Sequence, residues 1–134
     1  MLYNLKKQGI TILVSTPYMD EASLCDRIAL IQDGKFLKID TPKNIISEFK
    51  NDLWSVASNN MSKLLSDLRM HEKISTCFAF GDTHHISIDK GEQEKGKGLI
   101  PAELTKYLVM KGHKEIDIIS IEASIEDCFM ELTA

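Results

Sequence analysis

Residues 10–14 (Ile-Thr-Ile-Leu-Val) form a short apolar run that ends on Ser15, Thr16 and Pro17, and this stretch limits the possible folds more than any other. Thr11 is its single polar residue, and most of its side chains are β-branched. A run without polar alternation predicts a strand covered on both faces, as inside a parallel sheet. Pro17 pushes Thr16 toward extended geometry and carries a φ preset for a first helical position. Thr16 is therefore the expected N-cap of a short helix, with Asp20 and Glu21 complementing the positive end of its dipole. The motif is strand, tight corner, helix. In open α/β sheets a ligand binds at the corner beyond the carboxyl end of such a strand, which makes Ser15, Thr16 and Pro17 the candidate site.

A doubly covered strand needs neighbours. The residues before it offer only the last turns of a helix, with Leu2 and Leu5 on one face and Gly9 as its stop. The run is thus expected to belong to a larger sheet. Two further strands are expected over 27–31 and 35–39, joined by a hairpin turn whose signal is Asp33 followed by Gly34. Thr41 and Pro42 open another helix, with Ile45, Ile46 and Phe49 as its apolar stripe. The polar break at Lys50, Asn51 and Asp52 divides the chain into segments 1–50 and 51–134.

The second segment has a regular rhythm. A strand is expected over 53–57. Met61, Leu64, Leu65 and Leu68 then recur at helical spacing. Ile74, Thr76, Phe78 and Phe80 alternate along one strand, and His84, Ile86 and Ile88 along the next, with a turn at residues 81–83. A polar loop is expected over 90–98. Pro101 opens a helix bearing Leu104, Tyr107, Leu108 and Met110, and a strand over 115–122 follows. The order βαββαβ is the ferredoxin-like pattern, in which two crossovers share one antiparallel sheet. Ser124 and Asp127 give a capping-box-like start to a final helix, with Ile125, Cys128, Phe129 and Leu132 on one face. The expected fold is therefore α/β, an α/β core segment followed by a ferredoxin-like domain and a C-terminal helix.

Composition narrows the function. The 43% hydrophobic and 27% charged shares fit a packed globular chain. A net charge of −4 without a Lys/Arg block argues against nucleic acid as a partner. No apolar run nears the ~20 residues that cross a bilayer, and residues 1–7 lack the apolar core of a signal peptide. A cytosolic location without direct membrane insertion is the expectation. Cys25, Cys77 and Cys128 are odd in number and lack CxxC spacing, so buried inert thiols are expected rather than a disulfide or zinc framework.

Residues 9–45, GITILVSTPYMDEASLCDRIALIQDGKFLKIDTPKNI, resemble the end of the ATP-binding subunit of ABC transporters, in the drug- and polysaccharide-export branch. The terminal SIEDCFMELT resembles the closing signature of the same branch, and the intervening part resembles the small C-terminal domain some of these subunits carry. The resemblance implies that Ser15, Thr16 and Pro17 form the nucleotide-proximal switch loop. Pro17 stands where most members have a histidine that contacts the γ-phosphate. It also implies ATP and magnesium as cofactors of a complete subunit. The implied partners are a membrane permease and a second ATP-binding subunit, with the protein held peripherally at the inner face of the membrane. The P-loop, glutamine loop, signature and Walker B strand are not in these 134 residues, so the chain alone is expected neither to bind nor to hydrolyse ATP.

Two other readings compete. Segment 51–134 could act alone as a small-ligand-binding or dimerisation module. A stand-alone NTPase could use Gly91 to Gly98, which match G-x-x-x-x-G-K. There, however, Gly98 replaces the magnesium-binding hydroxyl, and Glu92 and Glu94 would repel phosphate. A solvated loop is the simpler reading. His84 and His85 are adjacent on a strand and point to opposite faces, so they cannot jointly chelate a metal. Asp20 and Glu21 read as dipole partners, and Trp54 and Tyr107 as core residues. No Ser/His/Asp constellation is legible.

Overall fold

The computed structural model describes residues 2–133. Helix α1 (Leu2–Lys7) stops at Gly9, whose φ of 82° is the left-handed geometry a helix stop favours. Helix α2 (Met19–Ala22) precedes strands β1 (Ile28–Gln32) and β2 (Lys35–Asp40), a two-stranded antiparallel hairpin. Asp33 and Gly34 have φ of 52° and 75°, the pair of positive values that the tight hairpin turn demands. Helix α3 (Pro42–Ser47) begins as its sequence dictates, with the Thr41 side chain accepting from the Asn44 amide and Pro42 in the first turn.

Strand β3 (Asp52–Ala57), helix α4 (Met61–Arg69), strands β4 (Thr76–Phe80) and β5 (Thr83–Ile88), helices α5 (Lys90–Glu94) and α6 (Pro101–Met110) and strand β6 (Asp117–Ile121) follow in order. The four strands make one sheet in the order β4-β5-β3-β6, and every neighbouring pair is antiparallel. The protein is therefore mixed α/β with two antiparallel sheets. Trp54, Val56, Ile86 and Ile88 on one face of the larger sheet pack with Leu64, Leu68, Leu104 and Leu108 of α4 and α6. Each such fully buried side chain contributes about 1.5–3 kcal/mol relative to exposure.

Helix α7 (Ile125–Thr133) starts with a reciprocal capping box: Ser124 Oγ accepts from the Asp127 amide, and Asp127 Oδ2 accepts from the Ser124 amide at 2.9 Å. Its Ile125 and Cys128 join Ile28, Leu30 and Ile45 in a second, smaller core. On the sheet side, His85 Nδ1 pairs with Asp127 Oδ1 at 2.7 Å, while the Phe80 ring stacks on His85. One helix thus seals the hairpin core and contacts the sheet.

Three local expectations are corrected. Residues 10–14 form no strand and belong to neither sheet, and Leu13 is 99% exposed. A strand takes its hydrogen bonds and its cover from other segments, and among the described residues none lies beside this run as a strand neighbour. Helix α2 begins at Met19 rather than Pro17; Tyr18 is its N-cap residue and makes no side-chain cap bond. Residues 90–94 are helical rather than loop, because the Asp89 carboxylate caps the Glu92 amide.

Candidate functional site

The corner after residues 10–14 places Ser15 and Pro17 at the surface and Thr16 half-buried. Although it does not cap α2, Thr16 organises the turn. Its hydroxyl accepts from the Tyr18 amide at 3.0 Å and donates to Glu21 Oε2 at 2.7 Å. Ser23 Oγ donates to the Asp20 carbonyl at 2.6 Å, closing the far side of the turn. Glu21 is thereby held by the corner in addition to its place in the first turn of α2. The corner opens to solvent. Two shallow clefts of roughly 300 Å³ lie elsewhere, one beside Ile46, Phe49 and Ser120, the other beside Glu72, Lys73 and Lys97, and neither is lined by Ser15, Thr16 or Pro17.

Residues 91–98 are folded onto themselves. The Glu92, Gln93, Lys95, Gly96 and Lys97 amides all donate within the segment or to Asp89. Gln93 Nε2 donates to the Leu99 carbonyl at 2.8 Å, and a Cβ on Gly98 would lie 1.9 Å from Gln93 Oε1. A phosphate cradle needs free, convergent amides. Here they are already used, so the G-x-x-x-x-G-K match describes a capped turn.

The histidines and aromatics have partners that sequence spacing could not show. His113 Nε2 meets Asp67 Oδ2 at 2.7 Å and His113 Nδ1 meets Ser58 Oγ at 3.0 Å. This Ser/His/Asp trio was not legible in the sequence, because its members come together only in the fold. It does not resemble a working nucleophile. The His113 side chain is wholly buried, and Ser58 Oγ also contacts the Asn60 amide and carbonyl, both at 3.3 Å. Activation of a serine needs room for an acyl group beside it. The trio instead ties α4 and the β3–α4 connection to the α6–β6 connection, reinforced by Asn59 and Lys114, whose backbones and the Asn59 side chain bond at 2.9 Å. His84 is buried with Nε2 donating to the Met61 carbonyl at 2.7 Å. His84 and His85 do point to opposite faces, and among the described residues no group of three or more His, Cys, Asp or Glu is placed to hold a metal. Trp54 lies in the main core, and half-buried Tyr107 packs against it while its hydroxyl donates to the Asp67 carbonyl.

Burial pushes the Cys77 and Cys128 thiols up from 9.0 to about 11. The thiolate is the reactive form. At neutral pH a disulfide reagent is therefore expected to modify half-buried Cys25 first, and Cys77 and Cys128 only after denaturation, as read by peptide mapping. The unfolded thiols lose protons near 9.0 and the folded ones near 11, so the folded state loses stability as pH rises across that window.

No family model matches the chain. The chain is homologous to the ATP-binding proteins of ABC transporters. It is 39% identical over 49 residues to the probable multidrug ABC transporter ATP-binding protein YbhF of Escherichia coli K12, covering 37% of this chain and 8% of that protein. It is 27% identical over 129 residues to the uncharacterized ABC transporter ATP-binding protein YhcH of Bacillus subtilis 168, covering 96% of this chain and 38% of that one. It is 41% identical over 49 residues to the energy-coupling factor transporter ATP-binding protein EcfA of Methanocaldococcus jannaschii, covering 36% of this chain and 18% of that one. The chain thus spans between 8% and 38% of the length of these relatives. Among the described residues no helix is long and apolar enough to cross a membrane.

Proposed function

We propose that this chain forms the C-terminal portion of the ATP-binding subunit of an ABC-type exporter, coupling ATP hydrolysis to transport when the subunit is complete. The observation that carries the reading is the match to the Bacillus subtilis protein over 129 residues, which runs through both segments of the chain. The similarity to the Escherichia coli protein, a probable multidrug ABC transporter ATP-binding protein, supports the export branch. Residues 1–50 act as the end of the ATP-binding domain. Residues 51–134 act as an accessory domain of the ferredoxin-like kind, a reading supported by the antiparallel strand order β4-β5-β3-β6.

In this reading the exposed apolar residues Ile10, Leu13 and Val14 are covered by strands of the ATP-binding core. Ser15, Thr16 and Pro17 then stand near the nucleotide. A proline offers no side-chain donor, so Pro17 does not replace the γ-phosphate contact of a histidine, and Thr16, already engaged with Glu21 and Tyr18, orients the loop. ATP and magnesium are held by the rest of the subunit. A membrane permease and a second ATP-binding subunit are the partners, and the assembly is peripheral at the inner membrane face.

Titration calorimetry with MgATP tests the division of labour. The chain alone is expected to give no saturable heat, and Lys97→Ala no change. Micromolar magnesium-dependent binding by these 134 residues, lost in Lys97→Ala, would return the site to residues 91–98.

A further inference from the structure

The two edges of the four-stranded sheet are treated differently. At the β4 edge, Arg69 of α4 lays its guanidinium on the Cys77 carbonyl, with Nε and Nη2 both donating at 3.2 Å. A charged fork over an edge carbonyl blocks the approach of another strand, one of the devices by which sheet proteins avoid edge pairing. Among the described residues no such guard lies on the β6 edge. Among the described residues, Asp117–Ile121 make their backbone hydrogen bonds with β3 and none with any other element. Alternate residues of an outermost antiparallel strand turn their N–H and C=O away from the neighbour, so part of the β6 backbone is left for a partner.

The β6 sequence, Asp-Ile-Ile-Ser-Ile, is short, β-prone and free of proline. Ile119 at its centre is 52% exposed, an apolar side chain on an open edge. The strand is also self-complementary. Antiparallel pairing about Ile119 sets Ile119 against its own copy, Ile118 against Ser120 and Asp117 against Ile121. No like charges stand opposite. Just beyond the strand, exposed Lys114 of one copy falls diagonal to exposed Glu122 of the other, within reach of long side chains. A two-fold axis that brings the same patch of each chain together is the commonest way to close a homo-oligomer.

We propose that β6 is a homodimerisation edge, on which a second copy of this chain adds its own β6 antiparallel to form a continuous eight-stranded sheet. A five-residue edge buries less than the roughly 1,200 Å² of a standard stable interface, so the pairing is a weak one that strengthens when two copies are held close together. It stands on the sheet alone and holds whichever transporter the chain serves.

Cysteine cross-linking in the full chain, with Cys25 replaced by serine, tests it. Ile119→Cys is expected to form a disulfide-linked dimer at least about tenfold faster than Ala79→Cys on the guarded β4 edge, because pairing raises the local thiol concentration. Equal rates overturn the proposal. Sedimentation of the unmodified chain over a concentration series supplies an independent reading. Self-association is expected and is expected to vanish in Ile119→Lys, with an unchanged circular dichroism spectrum. Self-association that survives Ile119→Lys but is lost in Leu13→Lys would assign it to the exposed apolar run instead and overturn the β6 edge, as would a chain that stays monomeric. Should Ile119→Lys fail to fold, the cross-linking rates decide.

Discussion

Leu108→Ala is expected to lower the free energy of unfolding by about 2–5 kcal/mol. Leu108 is completely buried and packs with Leu64, Leu68 and Leu104 against Val56 and Ile86 of the sheet. Truncation removes the transfer energy of the lost methyl groups and leaves a cavity that neighbours on two helices and a sheet cannot easily fill. Val109→Ala and Met110→Ala, on the exposed side of the same helix, are expected to stay within about 0.5 kcal/mol of the parent. Urea titrations of the three variants check this, with a lowered midpoint for Leu108→Ala alone. Comparable losses at Leu108 and Met110 would mean that α6 does not present the face described.

The second large effect concerns the buried polar trio. His113→Ala removes the partner of Asp67 and leaves a carboxylate in a site where only 12% of its side chain is exposed. Breaking a buried pair on one side costs about 3–5 kcal/mol, because the remaining charge is stranded. Asp67→Asn keeps an acceptor of the same shape for the His113 N–H, so its cost is expected to be near that of one ordinary hydrogen bond, about 1 kcal/mol. Ser58→Ala removes only the contact at His113 Nδ1 and is expected to rank with Asp67→Asn. Denaturant midpoints for the three variants give the order. If Asp67→Asn were as damaging as His113→Ala, charge rather than hydrogen bonding would govern the site.

What could be read from the chain was mostly local. The turn at Asp33 and Gly34, the Thr41 cap with Pro42 behind it, and the Ser124–Asp127 capping box are each decided by residues within four positions of one another. The helical spacing of Met61, Leu64, Leu65 and Leu68 and the alternation along β5 were legible for the same reason. Long-range pairs were not. His113 and Asp67 lie 46 residues apart and His85 and Asp127 lie 42 apart, and no periodicity connects them. The apolar face of α7 was legible, but not that its Ile125 and Cys128 would complete the hairpin core. Residues 10–14 show the opposite failure: the run has the pattern of a buried strand, and among the described residues no strand lies beside it. The short α5 had a signal that polar composition obscured. Asp89 stands three residues before Glu92, the spacing of a helix cap.

Residues 10–17 are proposed to be one half of a nucleotide site completed by an ATP-binding core. The most direct measurement is mass spectrometric sequencing of the endogenous polypeptide, captured with an antibody against residues 51–134. The expected result is a longer chain whose peptides N-terminal to Met1 carry a phosphate-binding loop, a signature sequence and a Walker B strand. An endogenous polypeptide of 15.1 kDa captured without an ATP-binding partner would contradict it.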